Sequence, residues 1–163
     1  MSRENIVFLD YDGVVNTIIW DADGKHADYN HPKDNKVNDF QAVQWLSEFC
    51  QKYDYSIVVT SSWARKPNYK ECLINGGLRE GIEILGCVSV FDFDRPQAIR
   101  DYLTEHPEVK NYIIIDDEFE DEMPPEHFVK CDDVIGFKFH EYYLAEKLHK
   151  NQNTPWQYRN LVL

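Results

Sequence analysis

Three short apolar runs and one helix start in this chain lead into groups able to do chemistry. IVFL (6–9) is followed by Asp10, Tyr11, Asp12 and Gly13. Carboxylates at i and i+2 after a strand lie on one side of it, where they can hold a divalent cation or divide the work of nucleophile and acid/base. Gly13 permits a sharp exit and the close approach of a ligand. SIVV (56–59) is followed by Thr60, Ser61, Ser62 and Trp63. Hydroxyls and backbone N–H groups at a strand end bind phosphoryl or carboxylate oxygens, and they also cap helices. Arg95 stands beside Pro96 at a helix start, so a guanidinium and a helix N-terminus can face one anion. YIII (112–115) leads into Asp116, Asp117, Glu118, Phe119, Glu120 and Asp121. Adjacent acids after a buried strand repel each other unless water or a cation neutralises them. Each feature has an ordinary structural use, but their succession sets a metal site and an anion site on one edge of a sheet.

A second copy of the first spelling, Asp21-Ala22-Asp23-Gly24, serves as an internal control. It runs on into Lys25 and His26 rather than into apolar residues, so it reads as a hairpin turn, with His26 and His31 solvated.

The elements that must position these groups follow from hydrophobic pattern. Besides the three runs, CVSV (87–90) and HFVK (127–130) read as strands; continuous apolar runs suit strands covered on both faces. Ala42, Trp45, Leu46 and Phe49 form a helical stripe with Asn38 or Asp39 as its cap. Pro67 opens a helix that Gly76 and Gly77 end, Pro96 opens another with Ile99, Tyr102 and Leu103 inward, and a last one runs from about His140 to His149. Strands alternating with helices define an α/β domain, three-layered and Rossmann-like, with a mainly parallel sheet. The segment from about 16 to 37 reads as a β-hairpin flap, and about 151–163 as a tail.

With 163 residues, one domain over 1–163 is expected, large enough for a core without staples. The net charge of −12 argues against an extended nucleic-acid footprint or an anionic membrane surface. Cys50, Cys72, Cys87 and Cys131 form no CxxC pair and read as reduced thiols. No apolar stretch matches a signal-peptide core or a membrane span, so a cytoplasmic protein is expected.

FLDYDGVV, VVTSS, Arg95-Pro96 and IIIDDEFED, in that order over about residues 5–121, resemble the four motifs of the haloacid dehalogenase (HAD) superfamily of aspartate-dependent phosphohydrolases. More narrowly, SSW, RPQAI and IIIDDE resemble the small HAD domains of RNA-repair proteins. The resemblance implies Asp10 as nucleophile and Asp12 as acid/base. It implies Mg²⁺ on the Asp10 carboxylate, the Asp12 backbone carbonyl and Asp116 or Asp117, with Asp121 in support. Thr60 or Ser61 would bind phosphoryl oxygens, and Arg95 would offset their charge. Gly13 to Tyr55 and Ser62 to Arg95 are too short to hold a large cap, so the implied substrate is a bulky phosphomonoester such as a polynucleotide end or a nucleotide. Arg65, Lys66, Lys70 and Arg79 form a candidate basic patch beside that site. The competing readings are a catalytically inactive HAD-fold binding protein and a phospho-aspartate receiver-like signalling domain. The sequence leaves the oligomeric state open.

Overall fold

A computed structural model describes residues 3–17, 38–88 and 94–153. Most of the expected flap, with Asp21, Asp23, His26 and His31, and the tail beyond Asn153 lie outside the described residues. Five strands, β1 (Asn5–Leu9), β2 (Ser56–Val59), β3 (Ile84–Cys87), β4 (Asn111–Asp116) and β5 (Phe128–Lys130), form one sheet in the order β3-β2-β1-β4-β5. Every pairing is parallel. The helices between them are α1 (Phe40–Tyr53), α2 (Tyr69–Asn75), α3 (Arg95–Glu105) and α4 (Phe139–Asn153).

The strand period of two sends neighbouring side chains into two separate cores. Val7, Leu9, Ile57, Val59, Ile113 and Ile115 face α1, α2 and α4. Ile6, Phe8, Val58 and Ile114 face Ala98 and Ile99 of α3. This is the three-layered α/β arrangement expected from the sequence. The α1 stripe faces the first core, with Ala42, Leu46 and Phe49 fully buried and Trp45 partly so.

Asp39, rather than Asn38, caps α1: its Oδ1 accepts from the N–H groups of Gln41 (3.0 Å) and Ala42 (3.3 Å). Asn38 instead donates from Nδ2 to the Cys72 carbonyl at 2.8 Å, tying α1 to α2. Lys138 pairs with Asp39 Oδ2, to which the Thr17 hydroxyl also donates at 3.0 Å. One carboxylate therefore joins the chain after β1, the start of α1 and the approach to α4.

Three boundaries differ from the sequence reading. The strand expected at 87–90 begins earlier, as Ile84–Cys87, because pairing with β2 runs through Gly86, which interrupts the apolar run; Ser89 and Val90 lie outside the described residues. The helix expected to open at Pro67 begins two residues later, as α2 from Tyr69 to the cap at Gly76, and a separate 3₁₀ turn, Ser62–Arg65, precedes it. The final helix is longer than expected at both ends, so the tail expected from 151 begins as helix.

Candidate active site

Strand register assembles the site. Leu9 pairs with Val59 on one side and Ile115 on the other, so the residues next in sequence, Asp10, Thr60 and Asp116, emerge side by side at the carboxyl edge. The ladder carries on past the named strands. The Asp10 N–H donates to the Ile115 carbonyl at 3.1 Å and the Thr60 N–H to the Leu9 carbonyl at 2.8 Å. All three side chains are buried.

Arg95 reaches them from the first turn of α3, where Asp94 caps the helix by accepting from the Gln97 N–H at 3.0 Å. Its Nη1 lies 2.6 Å from Asp116 Oδ2 and 3.2 Å from Asp10 Oδ2. The Phe119 ring lies against the guanidinium, 5.2 Å from Cζ to the ring centre. Phe119 has φ +61°, a left-handed conformation uncommon outside glycine.

Asp117 completes a trio with Asp10 and Asp116: one ligand oxygen from each lies within 4.8 Å of the others. Gly13 makes that approach possible. With φ +75°, it passes so close to Asp117 that a Cβ at residue 13 would sit 2.3 Å from Asp117 Oδ2.

One guanidinium does not offset three neighbouring carboxylates. Burial, followed by the charge of Asp116, pushes the Asp10 carboxyl up to about 7, even with Arg95 pulling it down. Asp117 is pushed up to about 6, first by burial and then by Asp116. Asp116 is also raised, by burial, against the opposing pull of Arg95. A buried all-oxygen donor set with excess negative charge fits a hard divalent cation such as Mg²⁺. The two adjacent acids at the end of β4 are differently engaged. Asp116 Oδ2 takes the Arg95 contact and its Oδ1 accepts from the Glu118 N–H at 2.9 Å. Asp117 is only half-buried and has no such clamp from Arg95, which makes it the more available ligand.

The two hydroxyls after β2 also differ. Ser61 Oγ accepts from the Trp63 N–H at 3.2 Å and so caps the 3₁₀ turn. Thr60 Oγ1 is buried with no hydrogen-bond partner among the described residues, as befits a group that awaits an oxygen of a ligand.

Asp12 lies outside the carboxylate trio. Its Oδ1 accepts from Asn16 Nδ2 at 3.1 Å and its Oδ2 from the indole Nε1 of Trp63 at 2.9 Å. Asp121 is exposed in a short 3₁₀ turn, Glu120–Glu122, and lines a groove with Pro96, Ile99 and Arg100 instead of joining the trio. The expected basic patch is partly spent on other contacts. Arg79 pairs with Glu48 at 2.7 Å, and the Lys66 ammonium sits 4.0 Å from the Trp63 ring centre.

Asn16, Trp63 and Phe119 were not singled out as site residues from the sequence. Trp63 stands in the SSW stretch and Phe119 in the acidic run, but nothing in their spelling says which polar group they meet. Asn16, four residues beyond Asp12, carried the only positional hint.

A parallel α/β sheet whose carboxyl edge gathers an acidic trio, the Arg95 guanidinium and the Thr60 hydroxyl is a Rossmann-like domain. The family described as the HAD domain in Swiss Army Knife RNA repair proteins matches residues 6–141, and the chain belongs to that family. This membership indicates chemistry of the phosphohydrolase type and a divalent metal in general terms. No curated protein and no solved structure matches the chain. No helix among the described residues is long and apolar enough to cross a membrane.

Proposed function

We propose that this protein is a Mg²⁺-dependent phosphomonoesterase that works through an aspartyl-phosphate on Asp10 and acts on the phosphorylated end of a polynucleotide. One observation carries the reading: Asp10 is buried between Thr60 and Asp116, paired with Arg95, and within ligand distance of Asp117.

Asp10 and Asp117, with the Asp12 backbone carbonyl, would hold the ion, and Asp116 would keep Arg95 in line. Bound Mg²⁺ supplies positive charge beside the phosphoryl oxygens, which eases the approach of an anionic nucleophile to a dianion. The remaining work belongs to the chain. Arg95 and the Thr60 hydroxyl bind phosphoryl oxygens. An Asp10 oxygen attacks phosphorus, the bond to the ester oxygen breaks, and the leaving alkoxide takes a proton from Asp12. Asp12 then accepts a proton from water, the hydroxyl bonds to phosphorus, and the P–O bond to Asp10 breaks, returning the carboxylate and inorganic phosphate.

Support for a polynucleotide end comes from the RNA repair named in the family's description and from short segments that leave no length for a large cap. A terminal phosphate also suits a chain of net charge −12 better than an extended backbone contact does. The described cysteines, Cys50, Cys72, Cys87 and Cys131, are all free, which agrees with a reducing compartment such as the cytoplasm.

The test is phosphate release from alkyl and aryl phosphates, free nucleotides, and oligonucleotides phosphorylated at the 3′ or 5′ end, with Mg²⁺ and with EDTA. Asp10→Asn should lose roughly 10⁴-fold or more in kcat. Mg²⁺-dependent release that survives this substitution rejects the mechanism. Oligonucleotide ends cleaved no better than free nucleotides reject the substrate.

A further inference from the structure

We propose that Trp63 is a positioning residue for the acid/base step, its indole N–H holding Asp12 in the orientation that delivers a proton to the leaving group; the role rests on the phosphomonoesterase reading above. The 3₁₀ turn that follows Thr60 delivers the ring. Ser61 caps that turn through the Trp63 N–H, and the ring is nearly buried, packed beside Tyr11 at 6.1 Å between centroids. Tyr11 is itself anchored by its hydroxyl, which donates to the Tyr69 carbonyl at 2.8 Å.

A buried indole N–H needs an acceptor, and a backbone carbonyl would satisfy it at no cost to any reactive group. Here the acceptor is Asp12 Oδ2, at 2.9 Å, while Asn16 donates to the other oxygen. Donors on both oxygens fix the plane of the carboxyl group. A side chain otherwise free to rotate about its terminal bond is thus held in one orientation before substrate arrives. The Lys66 ammonium, 4.0 Å from the ring centre, draws electron density toward the ring face and strengthens the indole as a donor. The same turn therefore supplies a group for the phosphoryl oxygens and a brace for the acid.

Replacing Trp63 with benzothienylalanine keeps the bicyclic shape and removes only the N–H. The informative comparison is kcat/KM for an alkyl phosphate, whose alkoxide needs a proton to leave, against 2,4-dinitrophenyl phosphate, whose phenolate does not. Because kcat/KM ends at the first irreversible step, later hydrolysis of the intermediate does not enter. The analogue should lose about 30-fold on the alkyl ester and about threefold on the activated one, a smaller version of the Asp12→Asn pattern. Added to Asp12→Asn it should cause little further loss, as expected for groups acting as a unit. An equal fall on both esters makes Trp63 merely structural and overturns the proposal. No fall on either overturns it too.

A readout independent of turnover is the indole ¹H–¹⁵N spectrum. Asp12→Asn should move the Trp63 resonance and leave that of Trp45, on α1, in place. An unmoved Trp63 signal overturns the hydrogen bond on which the role depends. A wild-type chain that cleaves neither ester with Mg²⁺ overturns the phosphomonoesterase reading itself, and that result differs from an active enzyme whose two esters respond alike.

Discussion

The Thr60 hydroxyl is buried at the site without a partner among the described residues, as are the amide oxygens of Asn16, Asn38 and Asn151. A desolvated hydroxyl with nothing to bond is a stability cost, so a site that keeps one has a use for it. Thr60→Val keeps the shape and removes the oxygen. Thermal unfolding should find this variant as stable as the parent or more so by about 1 kcal/mol. Phosphatase kcat/KM should fall about 100-fold, the usual effect of deleting one preorganised donor. Both changes falling together, with lower stability and lower activity, would mean that the hydroxyl serves the fold. Gly13 supports a second substitution. Gly13→Ala carries a methyl to 2.3 Å from Asp117 Oδ2 in a φ +75° conformation, so Asp117 must shift. Calorimetric titration should show weaker Mg²⁺ binding, together with a loss of roughly 1–2 kcal/mol in stability from the strained backbone. Gly13 could be read in the sequence as permitting close approach, but the approaching group is a carboxylate just beyond β4, more than a hundred residues away, which no local spelling reveals.

Among the elements, the legible parts were those written in contiguous residues. The runs at 6–9, 56–59 and 112–115 became β1, β2 and β4, and their shared register brought Asp10, Thr60 and Asp116 to one edge. β3 starts earlier than its apolar run because its pairing crosses Gly86, where an apolar-run reading breaks off. The division between Asp116 and Asp117 was hidden for another reason: it depends on where Arg95 reaches from α3, a tertiary fact. Choosing between Asn38 and Asp39 as the α1 cap was likewise open, since either side chain can cap. In the fold Asp39 has three duties: capping α1, pairing with Lys138 and accepting from Thr17. Both Asp39→Asn and Asp39→Ala remove the charge that pairs with Lys138, but asparagine keeps an acceptor for the helix and should cost less than alanine. Urea unfolding should give a loss of about 3 kcal/mol for the alanine variant, with the helix cap alone worth about 1. Equal losses would mean that the cap contributes little and that the lost charge pairing carries the cost.

Across the whole molecule, the acidic trio sets how stability depends on pH and metal. Asp10 titrates near 7 in the fold against 3.8 in an unfolded chain, and Asp117 near 6, both chiefly through burial. Between about pH 4 and pH 7 the native state therefore retains protons that the unfolded state has released, and stability without metal must fall as pH rises through that window. For Asp10 alone the full effect is on the order of 4 kcal/mol. A divalent cation reverses the sense: it needs the carboxylates deprotonated and binds only the folded site, so it stabilises most where the metal-free protein is weakest. Melting temperatures in EDTA should decline from pH 5 to pH 8, and millimolar Mg²⁺ should raise them strongly at pH 8 and little at pH 5. Asp10→Asn removes the dominant titrating group and one ligand together. Its metal-free melting temperature should exceed that of the parent at pH 8, and its response to both pH and Mg²⁺ should be much flatter. An unchanged pH slope in that variant would mean that charge elsewhere in this acidic chain, and not the trio, governs the dependence.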